Sequence, residues 1–188
     1  MSLQPLRPLR ILDFDIENRP LSYWYDDRPT AEVTAIAASW STNPQDVWVY
    51  LLGRDNPRYG LMTFAELYDE ADIVTGHYIR KHDLPILNGA MLEAGLPPLG
   101  SKLTIDTKLD LVTQGDLPAT QEHLAEMFGV SKPKFHMTQM MWRESNRLTR
   151  EGLKLTETRV TDDVIQHSEL RTVLAKQGLL GSPKVWRP

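Results

Sequence analysis

The sequence predicts a mixed α/β fold: one sheet, part antiparallel and part parallel, with helices packed on it. Three observations predict it. The first half holds three strand-like runs joined by short loops, the last two as a hairpin. The second half alternates short apolar strands with segments of helical spacing, the order that brings parallel pairing into a sheet. The chain has 188 residues, 41% hydrophobic and 24% charged, which suits one soluble domain with a sizeable core.

Residues 1–10 carry Pro5, Arg7, Pro8 and Arg10 and read as an N-terminal lead-in. The rest of the chain is organised around residues 11–17. At period two, Leu12, Phe14 and Ile16 point one way, while Asp13, Asp15 and Glu17 point the other. Same-face neighbours on a strand sit roughly 6.5–7 Å apart, so three negative charges crowd one short ridge. Solvent screens such a ridge on an edge strand. A buried one has to raise its pKa values or bind a cation. Both readings are open at this point.

Asn18-Arg19-Pro20 reads as a break, followed by a polar aromatic loop through Tyr23, Trp24 and Tyr25. Strands are expected over 33–40 and 47–52, with turn residues between them. Residues 64–71 have helical spacing, and 72–77 form a short apolar strand running into Gly76. A helix opens at Asp83 and is closed by Gly95 and Pro97-Pro98. A strand follows over 103–107. Helices are expected over 120–128, 137–147 and 160–177, the last being the longest. The domain is thus expected to span 11–178. Residues 179–188 make a C-terminal tail, poorly ordered from Gly181 onward.

Composition narrows the chemistry. Cysteine is absent, which excludes disulfides and thiolate metal sites. No apolar run approaches the ~20 residues of a membrane span, and the N-terminus has no apolar h-region. A cytoplasmic location with no membrane partner is the expectation. The net charge of −4 offers no global basic field, so a phosphate-bearing partner has to be met by a local patch or by bound cations.

Two further carboxylates stand out. Asp83 follows a strand and a glycine-containing turn and sits at a helix start, where ligands of α/β sheets collect. Helix capping is the plainer role for it. Asp163 lies on the apolar stripe of the last helix with Val160, His167, Leu170 and Leu174, where an unpaired carboxylate is costly. At about 100° per residue, Asp162 falls on a different stripe, with Gln166 and Glu169, expected to face water. Together Asp15, Glu17, Asp83 and Asp163 make an oxygen-rich set that suits Mg²⁺ or Mn²⁺ rather than zinc.

These residues resemble a family. Asp15-Ile16-Glu17 after an apolar strand is similar to the first motif, D-x-E, of the DnaQ-like or DEDD 3′→5′ exonucleases. Gly76-His77-Tyr78 followed by Asp83-Leu84-Pro85-Ile86-Leu87 resembles the second motif. Asp163-Val164, with Leu170 seven residues after the aspartate, resembles the third. Leu103-Thr104-Ile105-Asp106-Thr107 resembles the D-T strand that lies between them. The likeness runs over about residues 11–175. It implies an RNase H-like fold: a five-stranded mixed sheet, its first three strands antiparallel, flanked by helices.

The resemblance also implies a metal-dependent nuclease that hydrolyses phosphodiester bonds at single-stranded 3′ ends, DNA in preference to RNA, in replication or repair. A polymerase or other replication protein is then a further partner. Four acidic residues would hold two divalent cations about 3.5–4 Å apart, one helping to generate the attacking hydroxide and one stabilising the leaving 3′ oxygen. Carried over, Asp15 bridges both ions. Glu17 and Asp163 serve the ion that binds the nucleophile, and Asp83 acts mainly through water on the other. Asn18 and His77 fall where the family meets the terminal nucleotide.

There are departures. The family has Tyr or His four or five residues before the third-motif aspartate, where this chain has Arg159 and Thr158. That leaves His82 and His167 as candidate general bases, although lone histidines are more often surface or core residues. Tyr78 stands where asparagine is commoner. Asp13 stands where an apolar residue is preferred, either as a further acid behind the metal ligands or as an exposed one. The aromatics 23–25 suit stacking on bases or covering the core edge. Two rivals follow: a catalytically inactive RNase H-like domain that binds nucleic acid or a replication protein, and a metal-independent hydrolase using two carboxylates as acid and base.

Overall fold

The computed structural model describes residues 7–21, 30–112, 120–133 and 135–188. The aromatic loop of Tyr23, Trp24 and Tyr25 lies outside the described residues. The antiparallel meander is present: β1 (Ile11–Leu21), β2 (Thr30–Trp40) and β3 (Val47–Leu51) pair in turn. Helix α1 (Pro57–Glu70) leads to β4 (Ile73–Gly76), parallel to β1, and α2 (Asp83–Glu93) leads to β5 (Lys102–Asp106), parallel to β4. Three helices follow: α3 (Gln121–Met127), α4 (Gln139–Asn146) and α5 (Arg150–Lys176).

The expected five strands are six. β6 (Lys184–Trp186) adds antiparallel to β5, giving the order β3-β2-β1-β4-β5-β6. Residues 184–186 of the tail expected to lack order therefore form a strand, with Trp186 buried in the main core and Lys184 Nζ 2.9 Å from the buried Asp110 carboxylate. β1 also runs past the expected break. A register shift between Glu17 and Asn18 absorbs the irregularity. Proline at position 20 is tolerated because β4 pairs with β1 only at Ile11, Leu12 and Asp13, so the far end of β1 is an edge on that side.

Helix starts are the other difference. Asn56 caps α1 by accepting from the Tyr59 N–H, with Pro57 in the first turn, so the helix begins seven residues before the expected 64. Thr149 caps α5, whose first residue, Arg150, lies ten residues ahead of the expected start at 160. The first turns of α5 bury Gly152 and Thr156, which carry no apolar periodicity. A β-carbon on Gly152 would run into the Glu144 carbonyl and come within 2.7 Å of the Ser145 nitrogen, so glycine is what lets α4 and α5 pack this closely.

The two faces of β1 decide the layers. Leu12, Phe14 and Ile16 join Phe64 and Tyr68 of α1 and Leu84, Leu87 and Met91 of α2 in the main core. The carboxylate face lies under α5. Small residues of β2 make this possible: Ala35 and Ala37 are fully buried against Val160 and Val164. Arg159, Asp163, His167 and Arg171 recur every four residues, about 6 Å along a helix, close to the ~6.5–7 Å between same-face strand residues. One stripe of α5 therefore tracks the acid ridge in reverse order.

Asp13 is neither exposed nor in the cleft described below. Arg171 donates Nε and Nη2 to its two oxygens at 2.7 and 2.9 Å, Ser168 Oγ lies 3.2 Å away, and His167 Nε2 lies 3.4 Å away. Burial alone pushes the Asp13 pKa up, but the hydrogen bonds from His167 and Arg171 outweigh it and hold it below the ordinary 3.8.

This pair sets a stability prediction. Asp13→Ala leaves the Arg171 guanidinium without its partner beneath α5 and is expected to cost about 3–5 kcal/mol in denaturant unfolding. Asp13→Leu combined with Arg171→Met should recover most of that loss. Glu70→Ala, at an exposed ion pair with Arg10, should cost under about 1 kcal/mol. Because the folded pKa of Asp13 lies below its unfolded value, its contribution is complete above the unfolded value of about 3.8. It is lost as the pH falls through the folded value. Asp13→Asn should shrink that acid-side loss in pH-dependent melts.

Candidate metal centre

The parallel ladder between β1 and β4 ends at the Asp13–Thr75 pair, and β4 ends one residue later at Gly76. A cleft of about 300 Å³ opens there, beside the β1 positions Asp15 and Glu17. Gly76 is required for the closeness of its wall. A β-carbon would sit 2.7 Å from the Phe14 carbonyl oxygen and collide with the Ile79 side chain.

The wall beyond Gly76 is held by an acid that serves the backbone. Asp106 accepts from the N–H groups of Tyr78, Arg80, Lys108 and Leu109 at 2.9–3.2 Å. These bonds hold Tyr78 at a φ of +72°, a region that a bulky side chain rarely occupies. Asp110 backs the same turn, taking a two-pronged contact from Arg80 at 2.8 and 2.6 Å and the Asp106 N–H at 2.9 Å. Thr107 Oγ1 lies 3.0 Å from His77 Nδ1 and orients that ring at the cleft. Lys108 Nζ sits 4.0 Å from the centre of the Tyr78 ring, and both side chains line the opening.

Asp83 is the first residue of α2. The residue before it, His82, occupies the cap position without a side-chain cap bond, and the Asp83 carboxylate accepts from its own N–H at the helix start. Its carboxylate is buried and turned toward β1, where the Ile16 N–H favours the charged form. Asp163 lies in the fourth turn of α5 and faces the same space. Ligand-type oxygens of Asp15, Glu17 and Asp163 all lie within 4.8 Å of one another. Asp83 lines the same cleft and bears electrostatically on Asp15. The four sequence-predicted acids therefore come together. Asp162 points away, its oxygen 2.7 Å from Lys132 Nζ. The stripe expected to face water is partly buried: Gln166 donates to the Lys132 carbonyl and accepts from Gln121.

The other predicted residues divide. His77 and His82 line the cleft, but His167 does not. It is buried behind the acids, with Nε2 3.0 Å from Thr75 Oγ1 and close to Asp13, which removes it as a base candidate. Asn18 lies past the bulge, opposite Val33 on β2. His82 Nδ1 is 3.3 Å from Asp83 Oδ2, and that contact raises its pKa and favours the protonated ring.

Arg159 is the residue whose place in the site the sequence reading missed. Its Nε lies 3.2 Å from Glu17 Oε1, its Nη2 2.9 Å from Asp163 Oδ2, and its Nη1 donates to the Phe135 carbonyl at 2.7 Å. Its spacing of four residues from Asp163 on one helix was the available signal. Gln121 Nε2 donates to the Asp163 carbonyl at 2.9 Å, tying α3 to α5 beside the cleft.

Electrostatics follows from crowding. Burial, then the charges of Asp83, Asp163 and Glu17, drive the Asp15 pKa well above 3.8, and Arg159 only partly opposes them. Burial also raises Asp83, with His82 working against it. A set of hard carboxylate oxygens that resists ionising together has the donor chemistry that Mg²⁺ or Mn²⁺ satisfies.

The sign of these shifts makes a second prediction. Both folded pKa values exceed the unfolded ones, so without a divalent ion the penalty is complete above the folded values and is relieved as the pH falls through them. Chelator-treated protein should gain melting temperature from alkaline to mildly acidic pH. Asp15→Asn should flatten that rise and lift stability at the alkaline end.

No family model and no curated protein matches the chain. Among solved structures the fold is similar to the family B DNA polymerase from the hyperthermophilic archaeon Pyrobaculum calidifontis, with a TM-score of 0.65 and 21% identity. The match covers 90% of this chain and 25% of the polymerase chain, so the chain spans a quarter of that protein's length. At this identity the likeness establishes a shared fold.

Proposed function

We propose that the chain is an RNase H-like, metal-dependent 3′→5′ exonuclease acting on single-stranded ends, DNA in preference to RNA. One observation carries the reading. Asp15, Glu17 and Asp163 come from the two ends of the sequence, match the first and third exonuclease motifs, and bring their oxygens within 4.8 Å of one another. The fold shared with a family B DNA polymerase supports a nucleic-acid role and partners among replication proteins.

Two divalent ions held by Asp15, Glu17, Asp83 and Asp163 would supply an activated water and neutralise the departing 3′ oxygen. The chain's own residues do the rest. The half-exposed His82, its Nδ1 3.3 Å from Asp83, stands at the cleft as a hydrogen-bonding group for an incoming phosphate. Lys108 over Tyr78 adds a positive group and a ring at the cleft mouth. This answers how a protein of net charge −4 handles a polyanion: the positive charge is local.

A second reading has its own support. Arg159 stands where the related exonucleases carry Tyr or His, and its guanidinium is engaged with two of the four acids. An inactive domain that binds nucleic acid or a replication protein would tolerate such a contact.

A 5′-labelled single strand incubated with Mn²⁺ separates the two. The nuclease reading expects stepwise shortening from the 3′ end, blocked by chelator and slowed by a 3′-phosphate. Early release of the 5′ label as a mononucleotide rejects it, and binding without cleavage favours the second reading. Asp163→Ala should abolish cleavage while Asp162→Ala costs little. The reverse order of loss would overturn the assignment of Asp163.

A further inference from the structure

Arg159 is placed and anchored as part of the cluster. Its side chain is 12% exposed, and it contacts Glu17, Asp163 and the Phe135 carbonyl at once. Four carboxylates carry a formal charge of −4, which two divalent ions neutralise without help. A guanidinium left among them would then face two like-charged ions in a poorly screened cleft. The same carboxylates therefore satisfy either the full set of ions or fewer ions with Arg159. A displaced guanidinium needs another anion, and a phosphate group accepts its paired N–H donors well.

We propose that Arg159 is a resident counter-cation that weakens divalent-ion binding between Glu17 and Asp163 until nucleic-acid phosphate draws it away. Metal occupancy and strand binding then strengthen each other. This rests on reading the four acids as metal ligands, and it adds a regulation of that site. By linkage the effect is reciprocal: whatever factor the strand gives to ion affinity, the ion gives to strand affinity. In the absence of a strand, the guanidinium keeps the crowded acids compatible with the fold.

Calorimetric titration of Mn²⁺ into wild type, Arg159→Gln and Arg159→Lys tests this. Arg159→Gln should bind Mn²⁺ about tenfold more tightly than wild type, the scale of ordinary coupling between sites. Arg159→Lys, which keeps the charge but loses the fork, should fall between them. Arg54→Gln, which removes a guanidinium from the exposed pair with Glu157 on the same helix, should leave affinity near wild type. Single-stranded DNA ending in a non-cleavable phosphorothioate should tighten Mn²⁺ binding to wild type and do so much less for Arg159→Gln. Equal or weaker Mn²⁺ binding by Arg159→Gln overturns the inference. If Arg159→Gln is unfolded without metal, the Lys variant and the strand effect on wild type decide, and absence of both overturns it. Wild-type cleavage with unchanged Arg159→Gln affinity removes this inference and leaves the nuclease reading standing. Tighter Mn²⁺ binding by Arg159→Gln with no cleavage by wild type keeps the inference and removes the nuclease. Failure of all variants to bind Mn²⁺ overturns both.

Discussion

The structure depends on a helix lying over a ridge of carboxylates. Apolar packing of Val160 and Val164 on Ala35 and Ala37 brings α5 down onto the sheet, which buries Asp13 and leaves Asp15 and Glu17 half-buried. Each then has to be answered from the one stripe of α5 that tracks it. Arg171, with Ser168 and His167, answers Asp13 completely. Arg159 answers Glu17. Asp15, between them, meets another carboxylate, Asp163, and the field of Asp83. A single strand thus passes from a structural ion pair to an unbalanced cluster within a few residues.

The opening of the sheet puts that unbalanced part where a ligand can reach it. β4 separates from β1 after Asp13, and the turns that follow are held off the cluster by Asp106 and Asp110. Those two acids are fully used by backbone N–H groups, Arg80 and Lys184. Acids of the same type therefore serve opposite ends: two tie the wall in place, while four face the space it encloses.

Local patterns were legible in the sequence, and long-range ones were not. The alternation in residues 11–17 announces β1 and its acid face, and the stripe of Val160, His167 and Leu170 puts Asp163 on the side of α5 that meets Asp15 and Glu17, with Asp162 off it against Lys132. The first turns of α5 were hidden because Gly152 and Thr156 pack through smallness, leaving no apolar period to read. β6 was hidden because three residues, Lys184-Val185-Trp186, become a strand only against β5 and the Asp110 carboxylate. His167 looked like a base because the sequence shows a histidine on the right stripe. It does not show that Thr75 and Asp13 claim that ring. Arg159 reads only as the absence of a Tyr or His, and its contact with Glu17, 142 residues away in the chain, is visible only in the fold.

The reverse alignment of α5 on β1 also orders events during synthesis. Asp13 and Arg171 are 158 positions apart, and the intervening chain supplies α1 and α2 for the apolar face of β1 long before α5 is made. A nascent chain can therefore close most of its greasy side before α5 is made, with Trp186 of β6 joining afterwards, while the acid side stays hydrated until α5 docks. Asp163 lies on that same helix. The docking of α5 is thus the step that first assembles the cluster, and no chain that lacks this helix carries the complete set of acids.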